Sequence, residues 1–311
     1  MNYDDLIQKA REYGSNQNWD KAIEFYEKAF NISIDTYDVL DLAICYLENN
    51  DSYKALSNIE FVINVDPEDN KGYFYKGIYF EHLEEKEEAL KWYKISEEKG
   101  NIDPELYFKI GLIYDELSDI DTYNDDFDNI AKAKNYYLKA LEIDDYHFYA
   151  NLNLGSIYEK ENELEKALKL SLKAYESNSV ESYVCYNLGV IYSKLNNYDL
   201  ALKYYLEETK RENPYPYVYY NLGIIYKDKK EYELSKLYYL EGLKYLKHDS
   251  SIWYNLGCVH ALNNDFKNAF ECFVGAITIN SKIINYLEDD NELKEFIKSD
   301  EYNTLCNKYK K

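Results

Sequence analysis

The sequence predicts an all-α protein, an α-solenoid of about eight helix–turn–helix units with a C-terminal capping helical segment. A small residue recurs in the same local motif at Gly155, Gly189, Gly223 and Gly257, each 34 residues after the one before. The 311 residues include only four prolines and 11 glycines, and alternating β-branched runs are missing, which favours helices over strands. A period of this length is typical of stacked two-helix repeats.

The first helix of each unit is marked by this small residue, which we place at the eighth position. A clear copy of the motif is Tyr-Tyr-Asn-Leu-Gly-Ile-Ile-Tyr at residues 219–226. In the N-terminal half the same place is held by Ala10, Ala43, Gly77 and Gly111, the last of them 44 residues before Gly155. A residue with no Cβ, or with only a methyl group, lets the second helix approach closely.

The second helix of each unit usually carries another small residue twelve positions later, with aromatic residues around it. The small residues are Ala22, Ala55, Ala89, Ala167, Ala201, Ser235 and Ala269. The aromatic residues include Trp19, Tyr26, Tyr93, Tyr198, Tyr205, Tyr232, Tyr239, Phe266 and Phe273. No unit can bury its apolar faces alone, so we expect neighbouring units to stack.

Asparagine-rich segments predict the turns between the two helices of a unit, as in residues 49–51 and 263–265. We expect four units over residues 3–147, four more over 148–283 and a cap over 284–311. The fourth unit carries a ten-residue loop insertion near 118–129. In the cap, the apolar residues that can cover the last hydrophobic face are Leu287, Leu293, Phe296 and Leu305.

These motifs resemble the tetratricopeptide repeat (TPR) family, whose unit is a pair of antiparallel helices. The family pattern has Leu-Gly and then Tyr on the first helix, and Ala, an aromatic residue and Ala on the second. The resemblance covers roughly residues 3–283. It implies a right-handed superhelix with positions 2, 5, 6, 9, 12 and 13 of each first helix on the concave face. Residues 289–302 also resemble tails that follow bacterial TPR arrays, so a bacterial source is expected.

Asparagine occupies position 6 in the last four units, where Asn153, Asn187, Asn221 and Asn255 form a ladder in the sequence. A primary amide offers two donors and two acceptor lone pairs, so a row of amides can pair with an extended peptide backbone. The TPR region of the O-linked N-acetylglucosaminyl transferases is similar in having such a ladder. Alternatively, this asparagine belongs to the TPR consensus and serves packing or solubility.

Tyrosines flank this asparagine ladder at groove positions 2 and 5. They are Tyr149, Tyr183 and Tyr217 at position 2 and Tyr186, Tyr220 and Tyr254 at position 5. A groove lined by phenols, amides and some aliphatic side chains suits peptide recognition, because tyrosine gives contact area at low entropic cost. The alternative is that these rings pack between neighbouring units.

The formal net charge of −22 lies almost wholly in the N-terminal half, with −19 in residues 1–147 and −3 in residues 148–311. This charge repels phosphate backbones and anionic lipid, so nucleic acid and membrane surfaces are excluded as expected partners. Acidic residues at groove positions there include Asp4, Glu48, Glu81, Glu105, Asp115 and Glu116. They favour a partner with a basic segment, or they form only a solvated surface.

No motif for catalysis, for a cofactor or for a metal stands out, so a non-enzymatic protein is expected. Five aspartates lie between Asp119 and Asp128, but no start position supplies the glycine of a calcium loop. The four histidines do not pair at metal-ligand spacing. The carboxylate clamp of chaperone-binding TPRs needs basic residues that are not in the required frame here. The cysteine count is odd without a C-x-x-C pair and no signal peptide is visible, so a cytoplasmic location is expected.

The sequence therefore predicts a protein–protein interaction scaffold that binds an extended peptide or partner segment in its concave groove. The alternative is a structural or assembly protein that oligomerises, or joins a larger complex, through tyrosine-rich outer or terminal surfaces. The partner, the process and the oligomeric state are not given by these patterns, since TPR arrays serve many processes.

Overall fold

The computed structural model describes residues 1–118, 126–178 and 183–310, with the side chains of the second range starting at 128. Within these ranges the chain is helical and contains no strand. No helix in the same ranges is both long enough and apolar enough to cross a bilayer. The chain forms two compact units, Met1–Leu154 and Gly155–Lys311.

The first unit contains four antiparallel helix pairs and the start of a ninth helix. The helices are α1 (Tyr3–Ser15), α2 (Trp19–Phe30), α3 (Thr36–Glu48), α4 (Ser52–Val65), α5 (Asn70–His82), α6 (Lys86–Glu98), α7 (Pro104–Ser118), α8 (Asp126–Ile143) and α9 (Phe148–Lys160). Together with the second unit, the described residues form eight helix pairs and a C-terminal helical segment, which confirms the predicted all-α repeat fold.

The second unit begins within α9 and ends with the cap. Its helices are α10 (Leu164–Ser177), α11 (Val184–Lys194), α12 (Tyr198–Glu208), α13 (Tyr217–Asp228), α14 (Tyr232–Tyr245), α15 (Ser250–Leu262), α16 (Phe266–Ile279), α17 (Ile283–Tyr286) and α18 (Asp300–Tyr309). Two short 3₁₀ turns, Asn291–Leu293 and Phe296–Lys298, lie between α17 and α18.

The asparagine-rich turns end one helix and start the next. In each of them one residue takes the left-handed backbone conformation, for example Asn50 and Asn264 with φ near 60°. Asparagine tolerates this conformation better than most residues do. The residue before the following helix then caps it, as when the Asp51 side chain accepts from the Lys54 backbone N–H at 3.1 Å. The turn prediction is therefore confirmed at these positions.

The position-8 glycine faces an aromatic ring of the second helix in five units, at Gly77, Gly111, Gly189, Gly223 and Gly257. A Cβ built on Gly189 would lie 2.3 Å from a ring carbon of Tyr205, and one on Gly77 would lie 2.3 Å from Tyr93. Both tyrosines are almost completely buried. The glycine thus makes room for the ring, and the ring fills the core between the two helices.

We expect Gly189→Ala to lower the free energy of unfolding by about 2 kcal/mol, because the added methyl overlaps the Tyr205 ring and overpacks the core. Gly155→Ala is the matched control, since its Cβ would meet no ring: the nearest atom is the Ser171 hydroxyl oxygen at 3.0 Å, and the next lie at 3.5 Å. Its expected cost is below about 1 kcal/mol because a methyl also favours helix. Urea denaturation followed by circular dichroism measures both, and equal losses would contradict the ring-overlap explanation.

The cap covers the end of the last helix pair with apolar side chains. Leu287, Leu293, Phe296 and Leu305 are all buried and pack in one cluster with Phe273 of α16. A terminal unit of a repeat array needs such a cover, since its outer face has no following unit. The predicted cap residues are therefore in the predicted role.

Candidate functional site

In the second unit, α11 and α13 are the first helices of neighbouring pairs and enclose a cleft of 430 Å³. We call this cleft the α11–α13 groove. Its lining residues are Tyr186, Val190, Ser193, Lys194, Tyr198, Tyr205, Asn221, Ile224, Ile225 and Asp228. The lining combines phenol, amide, aliphatic and charged groups, a mixture that suits a peptide more than a small apolar ligand.

Three of the four ladder asparagines donate to tyrosine hydroxyls. The Asn221 Nδ2 donates to the Tyr205 hydroxyl at 3.1 Å, and in the first unit Asn153 donates to Tyr137 at 3.2 Å. Tyr205 and Tyr137 each lie sixteen residues before the asparagine that they accept from, on the second helix of the preceding pair. An amide that donates through its nitrogen still has an oxygen that can accept a peptide N–H.

The other two ladder positions depart from this pattern. Asn255 donates to the Ser251 carbonyl at 2.9 Å and to the Tyr220 hydroxyl at 3.4 Å. Asn187 is buried, and among the described residues its Nδ2 has no hydrogen-bond partner. The residue sixteen positions before it is Ser171 rather than a tyrosine. Burial favours a packing role over peptide contact at Asn187.

The position-5 tyrosines pack on the rings of the second helices. The ring centroids of Tyr186 and Tyr205 are 6.1 Å apart, as are those of Tyr220 and Tyr239. Burial, followed by the nearby Tyr215 hydroxyl, raises the pKa of Tyr186 to about 12, so this phenol stays neutral at physiological pH. Both Tyr186 and Tyr220 are half-buried, and Tyr186 also lines the α11–α13 groove.

The position-2 tyrosines differ from one another. Tyr149 in the first unit and Tyr217 in the second are exposed, by 49% and 38%. Tyr183 is half-buried, has a φ of 81° and packs edge-on against Tyr215 with ring centroids 4.7 Å apart. Exposed phenol rings at this position are available to a partner, whereas Tyr183 is held by its neighbour.

The cap reaches the groove face of α15. The Tyr254 hydroxyl donates to the Asp290 carboxylate, and the Lys227 ammonium pairs with Glu292 at 2.7 Å. Tyr254 is therefore already engaged by the chain itself. The repeat pattern does not predict this contact, because the tail does not follow the repeat.

Cys258, Asp290 and Glu292 place possible metal-ligand atoms within 4.8 Å of one another, in the part of the chain that the structure describes. Burial, and then the Asp290 charge, raises the pKa of the Cys258 thiol. Metal binding needs the thiolate, and Lys227 already compensates the charge of Glu292. The arrangement therefore resembles a closed contact of the cap more than a cation site.

Two of the acids predicted at groove positions in the first unit, Glu81 and Glu116, pair with lysines. Glu81 pairs with Lys109 at 2.6 Å, and Glu116 pairs with Lys86 at 2.8 Å. A cleft of 460 Å³ lies beside them, lined by Glu81, Glu84, Lys86, Leu112, Ile113 and Glu116. Residues 119–125 of the aspartate-rich insertion, and the side chains of 126 and 127, lie outside the described residues.

The fold and the groove define a helical-repeat protein whose first helices carry the candidate binding surface. Residues 148–180, 182–210, 216–245 and 250–283 match one model of the tetratricopeptide repeat, and residues 40–101 match another. The chain belongs to the TPR family. Proteins built from these repeats are in general scaffolds for interactions with other proteins.

A curated relative of this chain is the TPR repeat-containing protein MJ1428 of Methanocaldococcus jannaschii. The two are 28% identical over 147 residues, which are 47% of this chain and 24% of that protein. The chain thus spans about a quarter of the length of this relative.

Solved structures with the same fold include Pseudomonas aeruginosa pilF, with a TM-score of 0.56 and 17% identity over 67% of this chain and 90% of that one. The APC/C hetero-tetramer Cut9–Hcn1 matches with a TM-score of 0.56 and 15% identity, over 94% of this chain and 55% of that one. A tetratricopeptide repeat protein from Parabacteroides merdae matches with a TM-score of 0.50 and 15% identity, over 88% of this chain and 98% of that one. At these identities the likeness shows the fold alone.

Proposed function

We propose that this protein binds an extended segment of a partner protein in its first-helix groove, without catalysing a reaction. The observation that carries the proposal is the α11–α13 groove, where Tyr186, Asn221 and Ile224 line one cleft. An extended peptide needs hydrogen-bond partners for its backbone and apolar contacts for its side chains, and this lining offers both.

Within this proposal, the amide oxygens of Asn153, Asn221 and Asn255 are acceptors for peptide N–H groups. The exposed rings of Tyr149 and Tyr217 add contact area, and Tyr220 presents its hydroxyl beside Asn255. The remaining candidates, Asn187, Tyr183, Tyr186 and Tyr254, support the groove from more buried or already engaged positions.

A basic segment of the partner would lie along the first unit. The support is the excess of acidic residues there and the cleft beside Glu81 and Glu116. Because these two carboxylates already pair with lysines, exposed acids such as Asp4 and Glu48 would contribute most to attracting it. We propose the cytoplasm as the location, since four of the five cysteines are buried free thiols.

Selection from a random peptide library displayed on phage, followed by fluorescence anisotropy with the selected peptides, tests the groove. We expect Ile224→Glu to weaken binding by at least roughly tenfold, because it places a charge among apolar contacts. The combined change of the four ladder asparagines to alanine should weaken binding by roughly a hundredfold, since the three proposed peptide hydrogen bonds contribute about 1 kcal/mol each.

Lys169→Glu, an exposed change on α10 outside the groove lining, is the control that alters charge without altering the cleft. Circular dichroism shows whether each variant keeps its helices. If folded Ile224→Glu binds the selected peptides as tightly as the unmodified chain, the peptides bind elsewhere and the groove proposal is wrong.

A further inference from the structure

The outward face of α14 carries two leucines that the packing of the repeats does not cover. Leu237 and Leu240 are 50% and 51% exposed. The buried residues of the same helix, among them Ser235, Tyr239 and Gly242, lie on its opposite side. The face therefore presents apolar surface to solvent at the middle of a well-formed helix.

Leucine at position 237 is specific to this unit. In the seven other second helices the equivalent position is polar or charged. These residues are Glu24, Ser57, Lys91, Asn135, Lys169, Lys203 and Glu271. Since the fold accepts a polar side chain there in each other unit, packing within the repeat does not explain Leu237.

Glu233, Leu237, Leu240 and Lys244 form one stripe, which we call the α14 stripe. Their spacing of four, three and four residues places them along one face of a helix, as in the seam of a coiled coil. The side chains of Glu233 and Lys244 are 82% and 65% exposed. The stripe thus has an apolar centre and oppositely charged ends.

The stripe is complementary to itself when one copy is turned end for end. This reversal places Glu233 opposite Lys244 and Leu237 opposite Leu240. It also places Lys236 opposite Glu241, so the charges beside the stripe face opposite charges as well. A parallel copy would instead place Glu233 opposite Glu233 and Lys244 opposite Lys244, which is repulsive.

We propose that a second copy of this chain packs antiparallel on the α14 stripe, forming a two-fold symmetric homodimer. In such a dimer each contact occurs twice, once on each side of the two-fold axis: Glu233 of one copy meets Lys244 of the other, and the reverse. The proposal goes beyond peptide binding and does not depend on it, because α14 is the second helix of its pair and contributes no residue to the lining of the α11–α13 groove.

Forming the contact requires little rearrangement. Within one chain Glu233 pairs with Lys236 at 2.7 Å and Glu241 pairs with Lys244 at 2.6 Å. Exposed pairs of this kind are weak and can exchange partners. The interface consists of α14 and its copy alone and is therefore small, so we expect the fraction of dimer to depend on protein concentration.

Light scattering coupled to size exclusion, over a series of concentrations, tests the proposal on the full chain. The measured mass of the unmodified protein should rise with concentration toward twice the 37.0 kDa of one chain. Leu237→Glu should stay monomeric at every concentration, whereas Lys203→Glu, at the equivalent place on α12, should associate like the unmodified chain.

A charge exchange tests the antiparallel arrangement. Glu233→Lys alone and Lys244→Glu alone each bring like charges together and should stay monomeric. Mixed in equal amounts, they should associate, because each positive stripe then faces a negative one. A monomeric unmodified protein, or folded single variants that do not associate on mixing, would overturn the proposal.

Discussion

Tyr205→Ala lowers the free energy of unfolding by about 3–5 kcal/mol, the cost of removing a large ring from a packed core. Tyr205 is 1% exposed, its ring lies against Gly189, and its hydroxyl accepts from Asn221. The ring therefore joins the two helices of one pair and contacts the first helix of the next. In a repeat protein, loss of such an interface weakens neighbouring units together.

Urea denaturation measures the loss of stability. Amide hydrogen exchange of α11 to α13 shows where the loss occurs, because repeat arrays can unfold in parts. The control is Tyr205→Phe, which keeps the ring and removes the hydroxyl that hydrogen-bonds with Asn221 and Ser193, at a cost of about 1 kcal/mol. If the alanine and phenylalanine variants lose the same stability, the ring is not the element that joins the two pairs.

Phe296→Ala in the cap is expected to cost a similar amount, about 3–5 kcal/mol. Phe296 is 1% exposed, and its ring centroid lies 5.0 Å from that of Phe273 and 5.9 Å from that of Phe266. Losing this ring uncovers the last helix pair, so the loss should appear first in α15 and α16.

Hydrogen exchange by helix, together with the urea midpoint, measures this loss. Tyr286→Ala is the matched control within the cap, because that aromatic side chain is 59% exposed and should change stability by less than about 0.5 kcal/mol. Equal effects of the two substitutions would mean that the cap does not depend on its buried ring.

The helix pairs could be predicted from the sequence because packing repeats the same chemistry in each unit. Gly189 predicts a close approach, and the structure places the Tyr205 ring at that point. The asparagines of residues 49–51 predict a turn, and in the structure Asn50 takes the left-handed conformation that the turn requires. In these cases the cause lies within one unit, so a periodic pattern contains all of it.

The candidate site could be predicted only in part. Position 6 indicates which asparagines share a place, but it does not give the tyrosine hydroxyl that each one reaches on another helix. Asn187 shows this limit: its counterpart Ser171 has no ring, and Asn187 is buried among packed helices. The contact of Asp290 with Tyr254 was also not predictable, because the tail has no period that places it.

The position of the cap limits how far a segment bound in the proposed groove can extend. Asn255 faces α13 through its contact with Tyr220, whereas Tyr254 on the same helix is held by Asp290 of the cap. Under the groove binding proposed above, a segment that runs along the second unit toward α15 would meet this carboxylate. We therefore expect such a segment to end near α15 or to bend away there, so the proposed groove would favour chain ends and loops over uninterrupted strands.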